Sequence, residues 1–332
     1  MKPTAIDLFA GAGGLSLGLK SAGWDVKAAV EFDQTAIDTH RTNFTNVEHF
    51  CADVRSIDFG KFRGIDLVAG GPPCQPFSVS GKRLGSVDLR DMVPEFVRAV
   101  REANPRAFMM ENVAGLAGSQ FNEYLLEQVS SLHALGYTVF SRVLTASNYG
   151  VAQNRRRLFL IGIRADQQGE AFAFPEATHG ELARPYVTVR EALRRAPADI
   201  PNKAKIVFCK NPVLRRSPFA GMMFNGKGRP LNDRGLGHTI PASAGGNRTH
   251  IVDPEGIIQE YHAHLMAGKP PRKGELHGVR RLTVRESARL QSFPDDFAFL
   301  GRQSSRYSQV GNAVPPKLAE CVARQVRVSL TT

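Results

Sequence analysis

The sequence predicts an α/β protein: a Rossmann-like sheet with helices on both faces, followed by a small β-rich domain. Three observations predict it. Residues 5–10 (AIDLFA) form an apolar run that passes through Gly11-Ala12-Gly13-Gly14 into a helical pattern ending at Gly23, which is how a nucleotide-binding βαβ unit begins. Strand-like apolar runs then alternate with helical patterns to about residue 163, as in a parallel sheet crossed by helices. After Phe174-Pro175 the alternation fades, and residues 198–280 carry 11 Gly and 8 Pro, with short strand-like pieces and no long helix.

The elements follow in order. In the first turn, glycines let the backbone approach a ligand closely, and the helix start offers free N–H groups. The next strand, 26–30, ends in Glu31, 20 residues after Gly11, where an acid suits a pair of ribose hydroxyls. Alone, such a loop fits NAD, FAD or S-adenosylmethionine equally well. Asp33 is placed to cap a helix running to about 43, and a short strand at 47–52 ends at Asp53.

Strand 65–69 leads into Gly70-Gly71-Pro72-Pro73-Cys74-Gln75-Pro76-Phe77-Ser78. Two glycines and two prolines forbid continuation as strand or helix. Cys74 is thereby left on a stiff turn at the carboxyl end of a strand, the edge where open α/β sheets bind ligands. A lone cysteine is more often a small buried hydrophobe, so its surroundings decide. The polar stretch 77–91 is longer than a simple connection, and such loops are often lids.

A helix at 92–103 and a strand at 107–110 deliver Glu111-Asn112-Val113; a Glu ending a buried strand is costly unless it stands at an edge or has a function. An amphipathic helix spans 123–135. Strands near 138–144 and 158–163 flank Gln153-Asn154-Arg155-Arg156-Arg157, a position that favours an anion or active-site role over a solvated face. Helices at 189–196, 284–291 (capped by Thr283) and 317–329 complete the reading.

Lys and Arg total 43 against 31 Asp and Glu, a net +12, and residues 198–280 alone hold 13 against 6. That excess asks for a polyanionic partner. Four cysteines, at 51, 74, 209 and 321, show neither disulfide nor zinc spacing; Cys51, Cys209 and Cys321 read as packing residues. No run reaches the ~18 apolar residues of a membrane span, and the start shows no signal-peptide pattern, so a cytoplasmic, nucleoid-associated protein is expected.

DLFAGAGGLSLGL (7–19), GGPPCQPFS (70–78), ENV (111–113), QNRRR (153–157), RLTVRESARLQSFP (281–294) and QVGNAVPP (309–316) stand in that order. In this the chain resembles a bacterial-type DNA (cytosine-5)-methyltransferase from end to end, without the regulatory extensions of eukaryotic relatives. The resemblance implies an S-adenosylmethionine-dependent methyltransferase sheet and a discontinuous catalytic domain, 1–197 with 309–332. It further implies a target recognition domain at 198–280 and a connecting hinge at 281–308. Phe9, Gly11, Gly13 and Gly14 would cradle S-adenosylmethionine, Glu31 would hold its ribose and Asp53 its adenine amino group. Pro73, Val93, Asn312 and Val314 would complete the pocket. Cys74 would be the nucleophile, Glu111 would contact the cytosine edge, and Arg155 and Arg157 would support the site. Gln75, Ser78, Arg83, Arg229, Arg234 and Asn247 would meet double-stranded DNA, with Lys203, Lys205 and Lys210 on phosphates and Asn232 among the base readers. The resemblance implies no metal, S-adenosylhomocysteine as product, and a monomer acting alone or beside a restriction endonuclease for the same site.

Those residue types suit the chemistry. Thiolate addition at carbon-6 of cytosine breaks aromaticity and makes carbon-5 nucleophilic, dividing one hard step into easier ones. A base stacked in a duplex cannot be attacked this way, so the cytosine must leave the helix. Three other readings compete. A tRNA cytosine-5 methyltransferase shares the motifs, but those relatives carry a Cys-Phe-Thr signature that this sequence lacks. A nicotinamide or flavin oxidoreductase explains the glycine loop alone. A non-catalytic DNA-binding protein leaves Cys74 and Glu111 unexplained.

Overall fold

A computed structural model describes residues 2–73, 91–167 and 169–330. Cys74, Gln75, Ser78 and Arg83, and with them nearly all of the stretch read as a lid, lie outside the described residues. The chain divides into two compact units, one comprising Met1–Gly150, Arg155–Ala183 and Ala313–Thr332, the other Val151–Asn154 and Arg184–Asn312.

The first unit is built on seven strands: β1 (Thr4–Leu8), β2 (Asp25–Glu31), β3 (Glu48–Cys51), β4 (Leu67–Gly70), β5 (Ala107–Val113), β6 (Tyr137–Thr145) and β7 (Arg156–Arg164). Their order is β3-β2-β1-β4-β5-β7-β6, with β7 antiparallel to both its neighbours and every other described pairing in this sheet parallel. Helices α1 (Gly14–Ser21), α2 (Gln34–Asn43), α3 (Val93–Ala103) and α4 (Asn122–Ala134) connect them. Alternation along the strands assigns the two faces. Ile6, Leu8, Val30, Val68, Phe108, Met110 and Leu158 pack with Val93, Phe96, Val97 and Val100 of α3. On the opposite face Ala29 packs with Ile37 of α2, and Asp7 meets Ser16 of α1. The C-terminal helix Pro316–Val328 lies against α1, where Trp24 Nε1 donates to the Ala323 carbonyl at 3.0 Å. Strand order reverses between β1 and β4, which places the ligand crevice of such a sheet at their carboxyl ends.

Several elements differ from expectation for identifiable reasons. β5 runs on to Val113 because antiparallel β7 pairs with it as far as Val113↔Arg157; Glu111 is therefore inside a strand, and Arg156 and Arg157 belong to β7. Helix α4 is amphipathic only weakly: Gln128 and Leu132 are buried while Leu126 is exposed. Cys51 is not a packing residue but is exposed at the end of β3.

The second unit contains α5 (Val189–Leu193), the ribbon of β8 (Phe208–Val213) with β9 (Met222–Phe224), β10 (Ile251–Val252), α6 (Ile257–Met266), β11 (Arg280–Arg281), α7 (Val284–Leu290) and α8 (Gln303–Asn312). Its borders fall at 184 and 312, where the sequence reading placed the recognition domain at 198–280. Its strands are short, and α6 supplies Ile258, Tyr261 and Leu265 to a core completed by Ile206, Met223, Phe224, Ile251 and Leu276. This helix was not expected among so many glycines and prolines. It forms because Asp253 accepts the N–H groups of Gly256, Ile257 and Ile258, satisfying donors that a helix start leaves open. Helix α5 stops short of the expected 196, with Arg195 in the left-handed region (φ 55°). Thr188 with Glu191 and Thr283 with Glu286 form reciprocal capping boxes.

Candidate active site

The carboxyl edge of the sheet in the first unit carries Phe9, Gly11, Gly13, Glu31, Glu111 and Arg157 of the residues singled out by sequence. At the end of β1, Phe9 and Gly11 take positive φ (58° and 52°). Gly13, at φ 101°, caps α1 without a side chain, leaving the helix start lined by backbone N–H groups. Glu31 ends β2 with its carboxylate fixed between two amides: Oε2 accepts from Gly11 N and Oε1 from Asp33 N, each at 2.9 Å. Burial raises its pKa, and the two backbone hydrogen bonds oppose that shift. Phe32 follows, 74% exposed. An exposed aromatic ring beside a buried carboxylate was missed in the sequence, because a single Phe after a strand carries no periodic signal.

These groups fit S-adenosylmethionine. A Cβ at Gly11 would meet nothing within 4 Å, so the turn is open there; an anchored carboxylate can take hydroxyls, and an exposed ring can stack on a flat base. Asp53 lies past β3, exposed. It caps the following turn through Arg55 N at 2.9 Å and pairs with the Arg55 guanidinium at 2.5 Å, whose hydrogen bond holds the Asp53 carboxyl below its usual range. Val93 is fully buried in the core at the start of α3, and Val314 is buried. Asn312 is exposed and ends α8 in the second unit.

The other half of the edge is built on β4, β5 and β7. The turn leading to Cys74 is held at three points: Gly71 N donates to Leu8 O at 3.3 Å, Met92 N to Pro73 O at 3.2 Å, and Asn112 Nδ2 to Pro72 O at 3.1 Å. Asn112 belongs to the ENV motif, yet its part as a brace for the Pro-Pro turn is visible only in three dimensions. Glu111 is 8% exposed and pairs with Arg157, Nε to Oε1 at 2.7 Å. The register explains the pair: Glu111 faces Phe159 across the ladder, and Arg157 lies two residues further along the same face. Glu111 Oε2 sits 3.3 Å from the Cβ position of Gly71, so a side chain there would crowd the carboxylate. Arg155 is buried, donating from Nη2 to Ala313 O at 3.1 Å. Burial, and then the charge of Arg157, push its pKa well below the usual guanidinium range, while Glu111 opposes them.

Gln153, from the same QNRRR motif, belongs to the second unit. It is fully buried, donating to Gln291 Oε1 at 2.7 Å and accepting from Ile240 N at 3.0 Å. In that unit two glycine-rich segments, 221–234 and 235–251, run side by side: Ile251 N donates to Arg229 O, and Arg229 N to His250 Nδ1. Buried Arg281 ties them together, donating to Thr249 O at 2.7 Å and to Asn225 Oδ1 at 3.1 Å. Arg229, Arg234 and Asn247 are exposed on these segments, as are Lys227 and Arg248. Among the described residues no acid pairs with any of those four cations, whereas Lys205 pairs with Glu275 at 2.8 Å. Among the described residues no cluster of three His, Cys, Asp or Glu could hold a metal, and no helix is long and apolar enough to cross a membrane.

Comparison with known proteins gives a consistent answer. The family C-5 cytosine-specific DNA methylase matches residues 4–327. The chain is 34% identical to the Type II methyltransferase M.NgoMIV of Neisseria gonorrhoeae, covering 98% of this chain and 97% of that one. It is 36% identical to M1.HphI of Haemophilus parahaemolyticus, covering 98% and 87%. Among solved structures, a DNA modification methyltransferase encoded within an Escherichia coli prophage aligns with TM-score 0.69 and 25% identity over 98% of each chain. Spodoptera frugiperda DNMT2 shares the fold, with TM-score 0.74 at 18% identity over 98% of this chain and 99% of that one. The chain thus belongs to the C-5 cytosine-specific DNA methylase family.

Proposed function

We propose that this methylase modifies carbon-5 of a flipped-out cytosine in a short duplex sequence, through a covalent adduct of Cys74 at carbon-6. The observation that carries the residue assignment is the buried Glu111–Arg157 pair, placed one strand away from the braced turn that ends at Pro73. The thiolate of Cys74, the nucleophilic form of the side chain, attacks carbon-6 of the ring. Glu111 hydrogen-bonds the cytosine edge at nitrogen-3 and the amino group, stabilising charge as the thiolate adds. Arg157 orients that carboxylate, and Arg155 supports the strand start. Loss of the carbon-5 proton then re-forms the ring and expels Cys74.

Phe9, the 11–14 turn, Glu31, Phe32 and Asp53 would hold S-adenosylmethionine, which when bound would supply an electrophilic methyl to carbon-5 and leave as S-adenosylhomocysteine. The exposed cations and amides on the two glycine-rich segments support a division of labour in DNA contact. Lys227, Arg229, Arg234 and Arg248 neutralise phosphates or read guanine, and Asn247 reads a base edge. The names of the Type II relatives support a modification role; in the proposed reading the chain acts at the bacterial nucleoid, as a monomer, either alone or beside a restriction endonuclease for the same site.

Bisulfite sequencing of DNA from a host expressing the gene tests this reading. The expected result is methylated cytosine confined to one short sequence context. Unmethylated DNA with newly methylated tRNA would support the tRNA enzyme instead.

A further inference from the structure

Behind the glycine turn runs a line of polar side chains for which the reaction has no use. Asp7 of β1 is fully buried and accepts from Ser16 Oγ of α1 at 2.6 Å. Ser16 Oγ lies 2.9 Å from Nε2 of His40 on α2, and Nδ1 of His40 lies 2.9 Å from Nε2 of His49 on β3. The proton order follows from the ends. Ser16 donates to Asp7, so its oxygen accepts from His40 Nε2–H, and His40 Nδ1 accepts from His49 Nε2–H. Asp7 Oδ1 has no hydrogen-bond partner among the described residues, so Ser16 is what holds this carboxyl.

His40 is fully buried, and its ring and that of Phe44, with centroids 4.4 Å apart, form the floor under Gly13. A Cβ at Gly13 would stand 2.5 Å from Phe44 Cε2 and 2.9 Å from His40 Cδ2. The turn is therefore fixed at two points: Glu31 takes the Gly11 amide in front, and His40 backs Gly13 from behind. The same Glu31 takes the amide of Asp33, which caps α2 through Ala36 N at 2.8 Å, so α2 is anchored at its start and presses its last turn against Gly13.

We propose that His40 is a positioning residue for the methyl donor: it sets donor affinity through Ser16 and Gly13 without touching the donor. The inference rests on the assignment of the glycine turn to S-adenosylmethionine. An imidazole suits the place because two ring nitrogens bridge two elements at once, and burial, pushing its pKa down to about 3, keeps it neutral between them. A hydrophobe of similar size would fill the space but leave Ser16 without its donor.

Three variants test this by calorimetric titration with S-adenosylmethionine, alongside steady-state kinetics and thermal melting. In His40→Gln the side-chain amide nitrogen reaches the place of Nε2 and keeps the bond to Ser16. In His40→Asn it falls near Nδ1 and loses that bond. His40→Leu has neither. The expected result is donor binding close to wild type for Gln and weaker by about 10-fold or more for Asn and Leu, the scale of one lost buried hydrogen bond. KM for the donor should rise more than kcat falls, with KM for DNA unmoved. A purely structural role would lower the melting temperature of Gln and Asn alike and leave donor affinity equal among the folded variants; that result would overturn the assignment. Wild-type protein that fails to bind S-adenosylmethionine would overturn the underlying reading of the turn instead.

Discussion

The carboxyl edge of the sheet and the glycine-rich segments of the second unit are both rich in polar side chains, but they use them in opposite ways. At the sheet edge, polar groups are buried and tied to one another: Glu31 to two amides, Glu111 to Arg157, Asn112 to Pro72 O. In the second unit, Lys227, Arg229, Arg234 and Arg248 are exposed, and among the described residues no acid neutralises them. The first arrangement pre-organises groups for a reaction whose charge develops at fixed atoms. On the proposed reading, the second keeps charge available to DNA phosphates, which would supply the missing counter-charge on binding.

The largest effect is expected at the base edge. Glu111→Gln keeps the shape but removes the charge that Arg157 orients, and kcat should fall on the order of 100- to 1,000-fold with donor binding intact. Single-turnover rates and calorimetry on the same preparation measure both; a loss below about threefold would move Glu111 out of the chemistry.

Buried Asp7 gives a pH signature of intermediate size. Desolvation raises its pKa from 3.8 to about 7, against the hydrogen bonds from Ser16. Between those values the folded chain holds a proton that the unfolded chain has released. This contribution to stability is therefore complete below pH 4 and is lost as pH rises to 7, at about 1.4 kcal/mol per pH unit. His40, pushed down to about 3, works in the opposite direction below 6.5, so the comparison has to be made against Asp7→Asn rather than read from wild type alone. Urea midpoints from pH 5 to 8 should show wild type losing stability relative to Asp7→Asn as pH rises. Parallel curves would show that the carboxyl stays charged throughout.

The smallest effect separates the exposed cations of the second unit from its paired ones. Replacing Lys227 or Arg248 by Ala should weaken binding to all duplexes and reduce the slope of log affinity against log salt by about 1 per residue. Arg190→Ala is the control, since Arg190 is paired with Asp233 at 2.5 Å. Equal slopes for all three variants would remove the contrast.

How much of this was legible in the sequence depended on whether a feature was local. The glycine turn, the Asp33 cap and Glu31 at a strand end are set by neighbours within a few residues, and they stand where expected. Glu111 was legible as a costly acid, but its partner Arg157 and the extension of β5 come from antiparallel β7, which no short window contains. Asn112 and His40 matter through residues 40 and 24 positions away, and nothing in their own segments marks those contacts. Helix α6 had a readable pattern in Ile258, Tyr261 and Leu265, but glycine and proline on either side hid it. The QNRRR motif looked like one functional run; Gln153 proved to be a core residue of the second unit, and the arginines belong to the first.

The central claim, that Cys74 attacks carbon-6, is tested most directly with duplex DNA carrying 5-fluorocytosine at the modified position. Fluorine cannot leave as a proton does, so elimination stalls after methyl transfer. Wild-type protein with S-adenosylmethionine should form a denaturant-resistant complex with that DNA, and Cys74→Ala should form none and methylate nothing. Trapping or methylation that survives in Cys74→Ala would contradict the account.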